Sequence, residues 1–277
     1  MPRRTRGGLG GWLSLLHAGP VAATLLAACL FALLLHRHPL GFVRLAVLLW
    51  VVGLSQAAIA VFNDLCDLDL DKRSRPERPI PAGLVSPSAA VFMALFSALG
   101  SIALAGRLGP LSLVLVLLGT GAGLAYSAVF KRTIWSWLPF AVAFPLLPAW
   151  IAVALNSWSS RLWPLTIIGP ALATAVHLAD SIPDIDADRR HGAAGLAARL
   201  GRRHSLQAAL TLVTLGSAVG AIVSLSSPAP IYGVVGAAIG LCLAAVPRRQ
   251  IPDHGLRYYT AAAALAVSCG WLLSVRT

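Results

Sequence analysis

The sequence predicts an all-α protein that crosses a membrane many times. Apolar residues make up 57% of the 277 residues and charged residues only 12%, whereas a soluble domain carries about 25% charged residues. The mean hydropathy of +0.78 lies far on the apolar side. The apolar runs are rich in Leu and Ala and are too long for strands. Runs of about 20 apolar residues can cross a bilayer as helices.

Nine segments have this length and composition, so nine transmembrane helices are predicted within a single domain of residues 1–277. In chain order they are residues 19–35, 41–62, 88–106, 109–130, 137–155, 163–180, 205–225, 229–246 and 258–275. The basic residues before the first segment are interpreted as its inside flank, and not as part of a removable signal. No separate soluble domain is predicted.

The basic residues predict how the helices are oriented. With a cytoplasmic N-terminus, the inside segments hold 17 Lys or Arg and the outside segments hold five. The positive-inside rule therefore predicts an inside N-terminus and an outside C-terminus. The net charge of +12 would also suit nucleic acid or anionic lipid. Because topology accounts for the charge distribution, we expect membrane lipid and no nucleic acid as a partner.

The acidic residues are concentrated in two short clusters. Eight of the ten Asp and Glu residues lie in residues 63–71 and 180–188. The predicted orientation places both clusters on the cytoplasmic side. Carboxylates packed together in an apolar protein repel each other and are costly to desolvate. The clusters therefore predict that the protein binds something cationic between them.

The spacing within the clusters indicates a metal–diphosphate site. Each cluster holds three polar residues four apart, which form one stripe on a helix: Asn63, Asp67 and Asp71, and Asp180, Asp184 and Asp188. Carboxylate and amide oxygens suit a hard cation such as Mg²⁺. Basic residues beside each stripe suit a diphosphate. Pro183 is expected to kink or end the helix that carries the second stripe.

Two simpler interpretations of the clusters fit less well. A calcium-binding loop beginning at Asp67 would need Gly at its sixth position and Glu at its twelfth, where this chain has Lys72 and Arg78. Acids that only balance nearby arginines on a hydrated loop would not be expected to repeat the same spacing in two separate places. The metal–diphosphate interpretation explains both the regular spacing of the acids and the presence of basic residues beside them.

Three segments of the chain resemble the signatures of a known family. They are Asn63-Asp64-x-x-Asp67-x-x-x-Asp71 followed by Arg75-Pro76-Glu77-Arg78-Pro79-Ile80-Pro81-Ala82-Gly83, then Tyr126-Ser127 with Lys131-Arg132, and Asp184-x-x-x-Asp188-Arg189-Arg190-x-Gly192. Together they are similar to the UbiA superfamily of intramembrane prenyltransferases. The first signature is long and highly specific, and the resemblance spans most of the chain.

The resemblance implies a fold and an activity. The fold would be nine helices around a central cavity capped on the cytoplasmic side. The activity would be Mg²⁺-dependent transfer of a polyprenyl group from a prenyl diphosphate to an aromatic or lipid acceptor. The protein is then expected in a bacterial cell membrane, as a multi-pass protein with its site facing the cytoplasm. The sequence does not indicate an oligomeric state.

The resemblance also implies roles for individual residues. Two Mg²⁺ ions would be held by Asn63, Asp67, Asp71, Asp184 and Asp188, with Asp64 and Asp180 in support. The diphosphate would be bound by Lys72, Lys131 and Arg132, with Tyr126, Arg78 and Arg189 as further candidates. The expected catalytic residues are Asp67, Asp71, Asp184, Asp188 and Lys131.

Two positions depart from the family pattern. Members often carry Arg near the start of the first helix, where this chain has His17-Ala18-Gly19-Pro20. Such an Arg could contact a carboxylated aromatic acceptor, so the acceptor cannot be inferred. Pro183 stands where many members have another residue. The role of His177, one turn before Asp180, is also open between lining the cavity and a hydrogen-bonded core position.

Other functions remain as alternatives. An ion-coupled transporter could use membrane carboxylates on two related halves, but these acids lie at predicted helix ends beside arginines. Phosphatidyl transfer from a CDP-alcohol also uses membrane Asp and Mg²⁺, but the Asp-Gly-x-x-Ala-Arg start of that family is absent from both clusters. A non-catalytic assembly partner would not need intact motifs.

Overall fold

The computed structural model describes residues 9–36, 40–190, 195–246 and 253–276. These residues form α-helices joined by short turns and contain no strand. The helices are α1 (Leu9–Leu15), α2 (Ala18–Leu35), α3 (Phe42–Cys66), α4 (Leu68–Ser74), α5 (Pro87–Arg107), α6 (Pro110–Ala125), α7 (Leu138–Ala154), α8 (Leu165–Ser181), α9 (Ile185–Arg190), α10 (Leu196–Ser224), α11 (Pro230–Ala245) and α12 (Asp253–Ser274).

Each of the nine predicted segments coincides with a helix within the described ranges, namely α2, α3, α5, α6, α7, α8, α10, α11 and α12. Six helical stretches are long and apolar enough to cross a membrane, and α7 and α11 are shorter apolar helices. The prediction of an all-α, multi-pass membrane protein is therefore confirmed. The number of nine crossings and the inside N-terminus stay predictions. Of the basic residues that predict the orientation, Arg3, Arg4, Arg6, Arg248 and Arg249 lie outside the described residues.

The described residues fall into two compact units, and the single-domain prediction remains untested. Unit 1 comprises the chain up to Cys29 together with Leu40–Ala128, and unit 2 comprises Leu30–Pro39 together with Val129–Thr277. Each unit contains one of the two acidic motifs. The two units are described separately below.

Unit 1 is built around α3, which contacts α5, α6 and α1. Ser101 of α5 donates a hydrogen bond to the Val51 carbonyl at 2.9 Å, and Ser55 and Thr120 form a bond of 2.7 Å between α3 and α6. Ser86 caps the N-terminus of α5 by accepting from the Ala89 amide, and Pro87 follows it at the first helical position. The core below the first acidic motif consists of Leu15, Val61, Ile80, Val85 and Ala90.

Unit 2 is built from α7 to α12, with α10 and α8 at its centre. Small residues allow α11 and α12 to approach closely, because a Cβ added at Gly236 would lie 2.8 Å from the Gly270 Cα. The core near the second acidic motif consists of Ala175, Leu178, Ile182, Ile185, Ala197, Ala209, Val213, Leu256 and Ala263. This core packs the end of α8 against α10 and α12.

Two breaks shape the helices around the second motif. The α8 helix ends at Ser181, a 3₁₀ turn covers Ile182–Asp184, and α9 then begins. This confirms that Pro183 ends the helix, since proline cannot donate the helical backbone hydrogen bond. The second break is inside α10, where Gly201 has φ +76° and ψ 165°. Glycine suits this position because a side chain is strained at positive φ.

Candidate functional site

The first acidic motif lies at the junction of α3 and α4. Asp67 separates the two helices with φ −90° and ψ 0°. The helical hydrogen-bond pattern continues across it, because the Asp67 amide donates to Asn63 at 3.0 Å and the Asp71 amide donates to Asp67 at 2.8 Å. Asn63, Asp67 and Asp71 therefore follow one another at one-turn intervals, as their spacing predicts.

Burial distinguishes the acids of this motif. The exposed fractions of Asp64, Asp67 and Asp71 are 4%, 6% and 3%, whereas the Asp69 side chain is 87% exposed and accepts a 2.9 Å hydrogen bond from Lys72. The pKa of Asp69 is lowered by this hydrogen bond and by the Lys72 charge. The pKa of Asp71 is raised, because burial outweighs the nearby Arg78. The regularly spaced acids thus share a desolvated environment, and Asp69 does not.

Arg78 connects two of the buried carboxylates. Its Nη1 donates to Asp64 Oδ1 at 3.0 Å and to Asp71 Oδ2 at 2.9 Å. The other contact of Asp64 is the His17 Nε2, which lies 2.9 Å from the same Oδ1. Arg78 was expected from the sequence to bind diphosphate; in this structure its Nη1 organises the carboxylates. No sequence pattern pointed to the contact between His17 and Asp64.

The end of α6 lies beside Asn63. Ser127 donates to Asn63 Oδ1 at 3.4 Å. Residues Tyr126–Phe130 form a π-helical turn instead of continuing the α-helix, and such turns are frequent at functional sites. Tyr126 is half-buried at the start of this turn. The structure thus brings the Tyr-Ser segment to the first motif through Ser127.

The second acidic motif is more open and lies in unit 2. Asp180 is at the end of α8, Asp184 ends the 3₁₀ turn, and Asp188 is in α9. Asp184 and Asp188 are half-buried. Asp180 faces Arg257 of α12, with Nη1 and Oδ1 3.5 Å apart and side-chain exposures of 38% for the arginine and 47% for the aspartate. Lys131 and Asp184 also act electrostatically on Asp180.

His177 is a hydrogen-bonded core residue, which decides between its two interpretations. It is buried in α8, and its Nε2 lies 3.0 Å from Ser136 Oγ. Ser136 Oγ also accepts a bond of 3.1 Å from the Leu196 amide at the start of α10. The Phe140 ring lies 4.5 Å from the imidazole. Ser136 thus links α8 and α10 to the loop that begins with Lys131.

Arg189 contacts the break in α10. Its Nε donates to the Ala198 carbonyl at 2.7 Å, next to the break at Gly201. A Cβ at Gly201 would lie 3.1 Å from Arg189 Nη2, so the guanidinium packs directly against the glycine. Arg189 therefore has a structural contact that the sequence did not predict. Gly192, which follows it in the second signature, lies outside the described residues.

The predicted site residues are divided between the two units. Unit 1 holds Asn63, Asp64, Asp67, Asp71, Lys72, Arg78 and Tyr126. Unit 2 holds Lys131, Arg132, Asp180, Asp184, Asp188 and Arg189. Within each unit, the acids and the nearby basic residues occupy one end of apolar helices. The motifs did not reveal the contact of His17 with Asp64 or that of Arg257 with Asp180.

The first motif has the chemistry that a hard divalent cation requires. Asp67 and Asp71 are buried carboxylates one turn apart, and Asn63 adds an amide oxygen one turn earlier. Across the described ranges, no three or more His, Cys, Asp or Glu side chains converge as a complete metal-binding group. Mg²⁺ is usually held by one or two carboxylates together with waters and substrate phosphates. The residues present therefore fit Mg²⁺ bound with a diphosphate.

These features define a class of protein: an all-helical, multi-pass membrane protein with two Asp-rich motifs beside basic residues. The family model described as the UbiA prenyltransferase family matches residues 21–255. The chain therefore belongs to the UbiA prenyltransferase family, and the family predicted from its motifs is confirmed.

Individual relatives agree with this assignment. The bacteriochlorophyll synthase 33 kDa chain of Rhodobacter capsulatus is 34% identical over 181 residues, which are 61% of this chain and 58% of that protein. The digeranylgeranylglyceryl phosphate synthase of Methanoregula boonei is 34% identical over 185 residues, or 64% of each chain. The matched region thus spans less than two thirds of either relative.

The fold agrees with solved structures over nearly the whole chain. A UbiA homolog from Archaeoglobus fulgidus bound to GPP and Mg²⁺ superposes with a TM-score of 0.72, covering 96% of this chain and 100% of that chain. The sequence identity is 18%. This comparison establishes the shared fold.

Proposed function

We propose that the protein transfers a polyprenyl group from a prenyl diphosphate to an aromatic or lipid acceptor within the membrane, in a reaction that depends on Mg²⁺. The observation that carries the proposal is the first motif, in which three carboxylates are desolvated at the end of an apolar helix. Family membership supports it, as does the A. fulgidus homolog, which was solved with GPP and Mg²⁺.

In the proposed reaction, Asn63, Asp67, Asp71, Asp184 and Asp188 hold Mg²⁺, and Asp64 and Asp180 act through the arginines that they contact. When bound, Mg²⁺ would neutralise charge on the departing diphosphate. The candidates for the diphosphate are Lys72, Lys131, Arg132 and Tyr126. Arg78 and Arg189 are weaker candidates because of their structural contacts.

The roles of the chain's own groups follow from their charge. Lys131 and Arg132 place positive charge where negative charge develops as the diphosphate leaves, and preorganised charges of this kind lower the barrier. The departure of the diphosphate leaves an allylic carbon with cationic character, which an electron-rich acceptor attacks. In an apolar setting water would be kept from the cation, which it would otherwise quench.

The acceptor is open between an aromatic and a lipid molecule. A 4-hydroxybenzoate octaprenyltransferase of Vibrio atlanticus, named for an aromatic acceptor, and the digeranylgeranylglyceryl phosphate synthase match this chain at similar identities of 32% and 34%. Similarity therefore does not favour one acceptor over the other. An assay of membranes containing the protein should combine Mg²⁺, a panel of acceptors and prenyl diphosphates of about 10 to 50 carbons. This range of chain lengths follows from the family resemblance. Mass spectrometry of the products then identifies the acceptor.

The double variant Lys131→Gln/Arg132→Gln tests the function itself. Removing preorganised charges beside the leaving group is expected to slow turnover by about 100- to 1,000-fold and to weaken prenyl diphosphate binding without weakening acceptor binding. The matched control is Arg202→Gln/Arg203→Gln, which removes two exposed charges of the same unit from α10. If the wild type neither binds nor consumes any prenyl diphosphate but moves ions in proteoliposomes, the transporter alternative replaces this proposal.

We also propose a bacterial cell membrane with both motifs facing the cytoplasm, on the basis of the 17-to-five distribution of basic residues. A cysteine introduced at Ser74, an exposed position at the end of α4, should react with an impermeant reagent only after sealed cells are opened. The background must lack accessible native thiols, which include the exposed Cys66 and Cys242. The corresponding position after the second motif, His191, lies outside the described residues. Labelling of Ser74→Cys in sealed cells would invert the orientation.

A further inference from the structure

We infer that His17 is a positioning residue for the first motif: through Asp64 and Arg78 it sets the geometry of Asp71 and so the affinity for the metal that binds with the diphosphate. The inference rests on the proposed function and assigns to it a residue that belongs to none of the motifs. His17 lies 47 residues before Asp64 in the chain, and its Nε2 lies 2.9 Å from Asp64 Oδ1.

The backbone presents the imidazole at this position. His17 lies between α1 and α2 and has φ +50°, a left-handed conformation that residues other than glycine adopt rarely and at a cost. The preceding helix is anchored, because Leu15 is completely buried in the core with Val61 and Ile80. The core thus holds the junction against the end of α3 and the loop that follows α4. A strained residue at such a junction indicates that its side chain has a purpose there.

The contact begins a chain of hydrogen bonds through three segments of unit 1. His17 lies at the α1–α2 junction, Asp64 near the end of α3, and Arg78 in the loop after α4. The bonds run from His17 to Asp64 Oδ1 at 2.9 Å, from Asp64 Oδ1 to Arg78 Nη1 at 3.0 Å, and from Arg78 Nη1 to Asp71 Oδ2 at 2.9 Å. A change at His17 is therefore transmitted to a proposed metal ligand without direct contact.

The geometry explains why the histidine matters to Asp71. His17 and Arg78 both use Oδ1 of Asp64, which fixes the rotation of that carboxylate. One nitrogen of Arg78 is shared between Asp64 and Asp71. If Asp64 is no longer held by His17, it can rotate and the guanidinium is free to shift toward Asp71. A closer Arg78 would compete with a cation for the Asp71 oxygens. Loss of groups that orient a metal ligand typically costs about 10- to 100-fold in metal affinity or activity.

Three substitutions separate the side chain from the backbone. His17→Gly keeps the left-handed conformation without strain but removes the hydrogen-bonding group. His17→Gln retains a side-chain nitrogen that can donate to Asp64. Asn156→Ala is the matched control: Asn156 is the second non-glycine residue with positive φ among the described residues, at +53°, and it is an exposed residue that belongs to neither motif.

The test measures metal binding directly. Purified proteins are titrated with Mn²⁺ in the presence of an unreactive ten-carbon prenyl thiolodiphosphate, and free Mn²⁺ is read by electron paramagnetic resonance. We expect His17→Gly to raise the Mn²⁺ dissociation constant by about 10- to 100-fold. His17→Gln should recover at least half of the loss on a logarithmic scale, and Asn156→Ala should match the wild type. In turnover assays, the Mg²⁺ concentration for half-maximal rate should shift, while the KM of the acceptor stays unchanged.

The outcomes distinguish this inference from the proposed function. If the wild type binds Mn²⁺ with the thiolodiphosphate and His17→Gly binds it equally well, the role of His17 is refuted and the proposed function stands. If His17→Gly lowers only thermal stability, with unchanged Mn²⁺ affinity in the folded fraction, the residue is merely structural and the inference also fails. If the wild type itself binds no Mn²⁺ with the thiolodiphosphate, the proposed function fails and takes the inference with it.

Discussion

The two acidic motifs share a spacing but are held in different ways. In the first, Asp64 and Asp71 are almost completely buried and are joined by one arginine at 2.9 to 3.0 Å. In the second, the ion pair of Asp180 with Arg257 is half-exposed and 3.5 Å long, and the nearby end of α8 is hydrogen-bonded through His177 to Ser136, which also accepts from the Leu196 amide. Equal spacing in sequence thus does not imply equal electrostatics.

The difference has energetic consequences. A buried ion pair costs so much desolvation that removing one partner strands a charge, at about 3–5 kcal/mol. A pair whose two members are each more than a third exposed contributes about 0–1 kcal/mol, because both charges keep part of their hydration. Removing the arginine of the first motif should therefore lower the free energy of unfolding strongly, and removing the arginine of the second should lower it little. This difference is expected although both acidic triads are proposed to bind metal. The substitutions below test that asymmetry.

The largest effects are expected where the motifs should behave alike. Asp67→Asn and Asp184→Asn each remove a proposed metal ligand and should lower the rate of diphosphate release by at least about 1,000-fold. Asp67→Asn should remain folded in detergent, because Asp67 and Asp71 repel each other and losing one charge relieves that repulsion. Asp184→Asn should also remain folded, because Asp184 is only half-buried.

The controls for these variants lie within the same clusters. Asp69→Asn and Asp186→Asn change exposed acids that are not part of either triad, and both should retain activity close to the wild type. Removal of divalent metal with excess chelator should reproduce the loss seen in the triad variants. Full turnover in chelator, or in either triad variant, would eliminate the metal–diphosphate site.

The second prediction concerns Arg78, the arginine that joins two carboxylates of the first motif. Arg78→Gln leaves Asp64 and Asp71 buried without their shared arginine and should lower the free energy of unfolding by about 3–5 kcal/mol. The matched control is Arg73→Gln, which removes an exposed charge from α4 and should change it by about 0.5 kcal/mol or less. Denaturant unfolding in mixed micelles, followed by tryptophan fluorescence, measures both. Equal free energies of unfolding of the two variants would show that water solvates Asp64 and Asp71 when Arg78 is absent.

The sequence predicted the helices well because hydrophobic length is a local property. All nine apolar segments coincide with described helices, and Pro183 ends α8 as its missing amide hydrogen requires. Boundaries were less accurate: α3 continues to Cys66, beyond the predicted end at 62, because the polar end of the helix carries the first motif. The predicted segment 205–225 is the longer part of α10, which begins at Leu196 before its break at Gly201.

The spacing of both acidic triads is visible in the sequence, whereas the contacts of their neighbours are not. The structure keeps the first triad at one-turn intervals, and the second is divided among α8, the 3₁₀ turn and α9; that these residues bind metal stays a prediction. The partners of Asp64 and Asp180 could not be found from spacing, because His17 and Arg257 lie 47 and 77 residues away and repeat no pattern. Arg78 and Arg189 stood inside a signature, yet the signature does not show that they bond to Asp71 and to the Ala198 carbonyl.

The third prediction concerns the uncharged hydrogen bonds near the second motif. Ser136→Ala removes the hydroxyl that accepts from the Leu196 amide and lies beside His177 Nε2. A buried polar group left without a partner costs about 1–3 kcal/mol, and this cost should appear in the free energy of unfolding. Thr133→Val is the control, because its hydroxyl bonds only to Phe130 and Trp135 within the same loop; it should cost less. If Ser136→Ala lowers the free energy of unfolding no more than Thr133→Val does, these hydrogen bonds do not stabilise the structure near the second motif.

The smallest effect is expected for the exposed ion pair, and it decides the comparison. Arg257→Gln removes the cation next to Asp180, just as Arg78→Gln removes the cation next to Asp64. Because both members of the Arg257 pair are more than a third exposed, the free energy of unfolding should change by about 1 kcal/mol or less. The change should shrink further in about 1 M salt, where the screening length falls to about 3 Å. The control Arg203→Gln removes an exposed arginine of α10 and should behave like Arg257→Gln in the same micelles.

A loss of unfolding free energy for Arg257→Gln as large as that for Arg78→Gln would mean that Asp180 is as desolvated as Asp64. The two motifs would then be electrostatic equivalents, and the asymmetry argued from burial would be wrong.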